Sequence, residues 1–164
     1  MRKLSVSIVA ILLWVGTALI AHAQDPMLRV FSLDGTEHPV SAKEWSALPR
    51  ISVQAIDHDG KEVKFEGVAA RDVLKLVDAP LGAALRGKNL TVYVLAEAAD
   101  GYRAVYALAE FDADFTDRII LIADRRDGEA LSEKEGKLRI VVPGEKRPAR
   151  WLRELTSISV KRAP

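Results

Sequence analysis

Four cations crowd the stretch Val142–Trp151, "VPGEKRPARW", and its immediate continuation: Lys146, Arg147, Arg150 and Arg153. They surround a Pro143-Gly144 break and one tryptophan, Trp151. Arginine offers a planar fork of donors that matches phosphate or carboxylate. Gly144 lets the backbone turn close to a ligand, and Pro148 stiffens the loop that would present the charges. Two readings follow from the clustering: the lip of an anion site, or a solvated turn whose cations balance the acidic surface around it.

Other chemistries have few residues to work with. The chain has no cysteine, which removes thiolate metal sites, c-type haem attachment, iron–sulfur clusters and cysteine nucleophiles. No GxSxG elbow, Walker loop, GxGxxG fingerprint or HExxH pair occurs. "DADFTD" gathers Asp112, Asp114 and Asp117, but lacks the glycine and distal glutamate of a calcium loop and reads as a solvated cap. Tyr102 stands beside Arg103 after an Asp100-Gly101 turn, where its hydroxyl could orient a polar ligand or its ring could pack on a sheet edge. Arg125-Arg126 forms a second, exposed basic patch.

The N-terminal residues read as a targeting segment. Arg2 and Lys3 lead into the apolar run Leu4–Ile20, which closes on Ala21-His22-Ala23. That is the form of a secretory signal peptide cut after Ala23, with residues 24–164 as one mature domain in the periplasm or outside the cell. The run is shorter than the roughly 20 apolar residues of a membrane span, so no span is expected after cleavage. After cleavage only His38 and His58 remain as histidines. Without Arg2 and Lys3, 22 of the 24 basic residues face 23 acidic ones, a net charge of about −1. Nucleic acid is therefore not an expected partner, and any anion site must be local.

The elements that would position these residues follow from periodicity. Leu28–Leu33 is a strand closed by Asp34-Gly35. Ser41 and Glu44 spell a capping box ahead of a short helix, Ala42 to about Leu48, which Pro49 ends. Alternation at Ile51, Val53 and Ala55, the Asp59-Gly60 turn, and then Val63 and Phe65 predict a hairpin. Gly67 is expected to break its second strand, ahead of a helix over Arg71–Val77. Strands are predicted at Leu90–Ala96, Tyr102–Ala107, Ile119–Ile122 and Leu138–Val142, with one helical turn at Leu108–Phe111. "DRRDGEALSEKEGK" reads as a polar loop, and Trp151–Val160 carries a last strand. The sum is an α+β fold: a single domain, about seven strands in a mixed β-sheet, and short helices.

In that order the segments "EWSALPR", "FEGVAARDVLKLV", "DGYRAVYALAE", "LIADRRDGEAL", "GKLRIVVPG" and "RPARWLRELTSISV" resemble the oxidoreductase molybdopterin-binding domain family, with its sulfite oxidase-type fold. The likeness runs from about Trp45 to Val160. It implies molybdopterin as cofactor, with Arg139, Arg147, Arg150 and Trp151 near its phosphate and with Asp100 and Tyr102 approaching the pocket. It also implies a molybdenum-ligating cysteine in the loop after the strand Ile51–Ile56. This chain has Asp57, His58 and Asp59 there.

Carboxylate or imidazole replaces a soft thiolate poorly, so Asp57 and His58 are weak metal candidates and bound molybdenum is not expected. "DHDG" is equally an ordinary turn. Arg2-Lys3 is no twin-arginine pair, so export of the unfolded chain, without a preloaded cofactor, is expected. Three functions remain open: a non-catalytic module for a pterin, another small anion or a protein partner; an atypical molybdenum oxidoreductase; or a structural protein with a closed pocket.

Overall fold

A computed structural model describes residues 25–164, and the proposed cleavage after Ala23 lies outside the described residues. Buried Leu28 and Val30 alternate with exposed Arg29 along β1 (Leu28–Phe31). It turns at Asp34-Gly35 into β2 (Glu37–Val40), an edge strand around Pro39 that the sequence pattern did not predict. Edge positions tolerate proline because one side of the strand needs no donor.

Ser41 caps α1 (Ala42–Ala47) by accepting the Glu44 amide at 3.1 Å. Only half of the expected box forms, because the Glu44 carboxylate meets His38 Nε2 at 2.8 Å instead.

The predicted hairpin is present as β3 (Arg50–Ile56) and β4 (Glu62–Ala69), with Val53 opposite Phe65. Gly67 does not end β4. It lies where β7 (Leu121–Arg126) comes so close that a Cβ would collide with the Ile122 carbonyl, and a bulge falls between Glu66 and Gly67. This glycine serves a close approach rather than a stop.

After α2 (Ala70–Lys75) and two 3₁₀ turns come β5 (Val92–Ala98) and β6 (Arg103–Ala107). A further 3₁₀ turn, Leu108–Phe111, leads to β7. The expected polar loop after Ile122 is strand as far as Arg126, then a tight turn into β8 (Glu129–Ala130). Its charges are supported from afar: Asp124 accepts from Trp45 Nε1 and Arg50 Nη1, each at 2.7 Å. β9 (Arg139–Val141), a 3₁₀ turn at Pro148–Arg150 and β10 (Leu155–Arg162) complete the chain.

Two sheets result. One has the order β2-β1-β10-β5-β6 and is mixed, since β1 and β10 run parallel with Val30 opposite Ile158. The other has the order β3-β4-β7-β8, and β9 pairs with β7 along Leu121–Ala123. Val30, Ile158, Ala96 and Ala104 face one another across the first sheet and join Phe65, Val68, Ile122 and Ile140 in one buried cluster.

The segment before β10 ties the sheets together. The Ile140 amide donates to the Leu152 carbonyl at 2.8 Å, Leu155 to Leu138 at 2.9 Å, and Ala99 to Glu154 at 2.9 Å. Trp151 therefore sits at the junction, 4% exposed. Among the described residues no helix is long and apolar enough to cross a membrane.

Candidate functional site

Five segments bring their ends to this junction. The β3–β4 turn supplies Asp57 and His58, the end of β7 supplies Arg126, and the β8–β9 loop supplies Ser132, Lys134 and Glu135. Arg139 opens β9, and Trp151 follows the Pro148–Arg150 turn.

Arg139 is almost wholly buried, at 1% exposure. Its guanidinium lies 4.9 Å from the Phe65 ring centre and 6.0 Å from that of Trp151, and these two rings meet edge to face at 6.2 Å. Nη1 donates to Glu135 Oε1 at 2.5 Å. Nη2 is 3.6 Å from Asp57 Oδ1, attractive as a charge but too long for a hydrogen bond. Arg139 Nε and Nη2 and Trp151 Nε1 are buried donors with no acceptor in the protein.

Arg126 completes a quartet by donating through Nη1 to Asp57 Oδ2 at 2.5 Å and to Glu135 Oε1 at 3.4 Å. Ser132 holds Glu135 from behind, its hydroxyl and amide meeting Oε2 at 2.8 Å and 3.2 Å. Burial would raise both acids, but it is outweighed. The His58 hydrogen bonds and the charges of Arg139 and Arg126 hold Asp57 down at about 2. The Ser132 hydrogen bonds, followed by Arg139, lower Glu135. Both carboxylates are thus ionised at neutral pH, and two guanidiniums face two carboxylates.

Beside this quartet opens a cleft of about 500 Å³. Tyr102, Pro148, Ala149, Trp151 and Leu152 form its less polar walls, and His58, Lys134 and Arg153 bring cationic or basic groups. Asp100 and Glu154 are its acids, and Asp100 Oδ1 is occupied by the Tyr102 amide at 2.9 Å. The Tyr102 hydroxyl donates to the Ala149 carbonyl at 2.8 Å, fastening the β5–β6 turn to the proline loop. A second lobe of about 290 Å³ reaches Asp57, Arg126 and Arg139, and shares His58, Lys134 and Arg153 with the first. Among the described residues no carboxylate lies within ion-pairing distance of Lys134 or Arg153.

Of the residues proposed from sequence, Asp57, His58, Asp100, Tyr102, Arg139 and Trp151 converge on these two lobes. Arg147 is exposed at the start of the Pro148–Arg150 turn. Arg150 is occupied elsewhere. Its Nε donates to Glu145 at 2.9 Å, and Nη1 and Nη2 donate to Glu110 at 3.0 and 2.9 Å. It stacks 4.7 Å over Tyr106, whose hydroxyl donates to the Arg150 carbonyl.

Two other expectations are corrected. Asp112 is buried at 5% exposure and accepts the Gly82 and Asp114 amides, so it is no solvated cap. Arg125 and Arg126 point apart: Arg125 bonds the nearby Gly128 carbonyl while Arg126 turns inward to the acids. Sequence reading missed Lys134 and Glu135. Their signal was present, since Ser132-Glu-Lys-Glu135 has capping-box spacing and Glu135 lies four residues before Arg139.

The fold and site together define an α+β domain with a cation-rimmed cleft where two sheets join. The chain belongs to the oxidoreductase molybdopterin binding domain family, which matches residues 34–164. Its structure is similar to the sulfane dehydrogenase SoxCD from Paracoccus pantotrophus, with a TM-score of 0.62 and 16% sequence identity. The similarity covers 82% of this chain and 37% of that one, so this chain spans well under half of its relative's length. The sulfite oxidase-type fold expected from sequence is the fold observed. Comparison with curated proteins gives no match.

Proposed function

We propose that this chain is an exported, non-catalytic member of its family that binds a small anionic ligand, a phosphate-bearing pterin among the candidates, without molybdenum turnover. The observation that carries the reading is the set of three buried donors without acceptors, on Arg139 and Trp151, beside a cleft rimmed by unpaired Lys134 and Arg153. Buried donors are rarely left unmatched, and each costs about 1–3 kcal/mol. An acceptor-rich, negatively charged molecule would meet the rim cations directly and the buried donors once the site opens locally.

Half of a molybdenum cofactor fits these residues. Lys134 and Arg153 would hold its phosphate, while the exposed Tyr102 offers aromatic surface to its ring. The metal end does not fit. The chain has no thiolate, and at the corresponding turn Asp57 is committed to Arg126 and His58. Among the described residues no group of three or more potential ligands stands close enough to hold a metal ion. No reaction step is therefore assigned. Export rests on the positive start, apolar run and Ala21-His22-Ala23 exit of the first residues.

The test is the elemental and small-molecule content of the protein purified from the exported fraction. A pterin or another anion without molybdenum is the expected result. Molybdenum near one atom per chain would favour the atypical molybdenum oxidoreductase and overturn the reading.

A further inference from the structure

Within the buried quartet the two carboxylates are held very differently. Glu135 is anchored by its own loop, through the Ser132 amide and hydroxyl as well as Arg139. Asp57 is held from its own turn only through His58. Its side chain is held by Arg126 at 2.5 Å and by its exposed neighbour His58 at 2.9 Å, and it stops 3.6 Å short of Arg139. It rides at the start of a hairpin turn in which His58, Asp59 and Gly60 are all exposed. A change of the Asp57 side-chain rotamer would withdraw the carboxylate while its backbone bonds to Lys61 and Gly60 stay in place.

With Asp57 in place the quartet is neutral. With Asp57 withdrawn, one positive charge is left over, and Arg126 and Arg139 present Nη donors to the 290 Å³ lobe. Two guanidiniums around one vacated carboxylate position make a compact oxyanion receptor.

The geometry points to an oxyanion subsite between Arg126 and Arg139 that Asp57 fills from within the chain, so that a ligand's carboxylate or phosphate enters by exchanging with Asp57. This rests on reading the cleft as an anion site and adds its regulation: the protein carries its own competitor. His58 moves with Asp57 and lines both lobes, so the exchange also reshapes the rim of the larger cleft.

The test compares wild type with Asp57→Asn, titrated with inorganic phosphate and separately with formate, at constant ionic strength and neutral pH. When the receptive state holds about a tenth of the molecules, removing the internal competitor tightens apparent binding about tenfold. A gain of that order for either anion in the variant supports the subsite, and the anion showing the larger gain identifies its chemistry. Equal dissociation constants in wild type and variant overturn the exchange while leaving the cleft reading intact. Binding by neither protein overturns both.

Should Asp57→Asn fold poorly, Asp57→Ala is melted in chloride, formate and phosphate. A midpoint rise with formate or phosphate larger than that of wild type supports the subsite. Equal shifts in the two proteins, or a variant that stays unfolded in all three salts, overturn it.

Discussion

Arg150 and Arg139 each meet two carboxylates and an aromatic ring, yet only Arg150 has all its nitrogens in use. Arg150 is about a third exposed, and it binds the Leu108–Phe111 turn and the Glu145 loop against β6. Arg139 is sealed between Phe65 and Trp151 with a single hydrogen bond. The difference separates two uses of one residue type. A saturated guanidinium at the surface is a clasp, and its strength is already spent on the fold. A buried guanidinium with open donors still has capacity for a ligand.

Breaking the Arg139 side should have the largest effect. Arg139→Met leaves Asp57 and Glu135 to share Arg126, and removing one partner of a buried ion pair costs roughly 4 kcal/mol. Urea unfolding measures it, and a loss below 1 kcal/mol would mean the quartet is slack. Trp151→Ala removes the ring that covers the same guanidinium and should cost about 3 kcal/mol by the same measurement.

Arg150→Ala sharpens the contrast. Losing charge-assisted bonds to Glu110 and Glu145 should cost about 2 kcal/mol of stability, discounted for partial exposure, while phosphate affinity stays as in wild type. A tenfold fall in affinity would erase the distinction between the two arginines.

Acid offers a milder probe. Asp57 is held at about 2, below the ordinary 3.8, so its contribution is fully present above about pH 5 and is lost as pH falls towards 2. The contribution is on the order of 2 kcal/mol. Asp57→Asn should flatten that part of the stability–pH curve, and an unchanged slope would show that the quartet does not carry it.

Much of this was legible locally. The β3–β4 hairpin follows from alternation at Ile51–Ala55 and Val63–Phe65 around an Asp-Gly turn, and the Ser41 cap from its spacing to Glu44. What escaped depends on residues distant in the chain. Gly67 reads as a breaker until β7 is laid against it. Asp124 to Arg126 read as loop because Trp45, Arg50 and Asp57, which receive their charges, lie 69–79 positions away.

The site divides the same way. Trp151, Tyr102 and the cationic stretch were visible as chemistry. That Arg150 belongs to Glu110, forty positions earlier, and that Lys134 joins His58 at the cleft, are consequences of sheet pairing that no short window contains.

Anion binding at the cleft is tested at the two unpaired rim cations, Lys134 and Arg153. Wild type and the Lys134→Ala/Arg153→Ala double variant are melted across an inorganic phosphate series at constant ionic strength. Exposed substitutions of this kind change intrinsic stability by less than about 0.5 kcal/mol each. A saturable rise is expected for wild type, about 2.7 kcal/mol at one hundred times the dissociation constant, and its loss in the double variant. Identical melting curves for the two proteins at every phosphate concentration would contradict it.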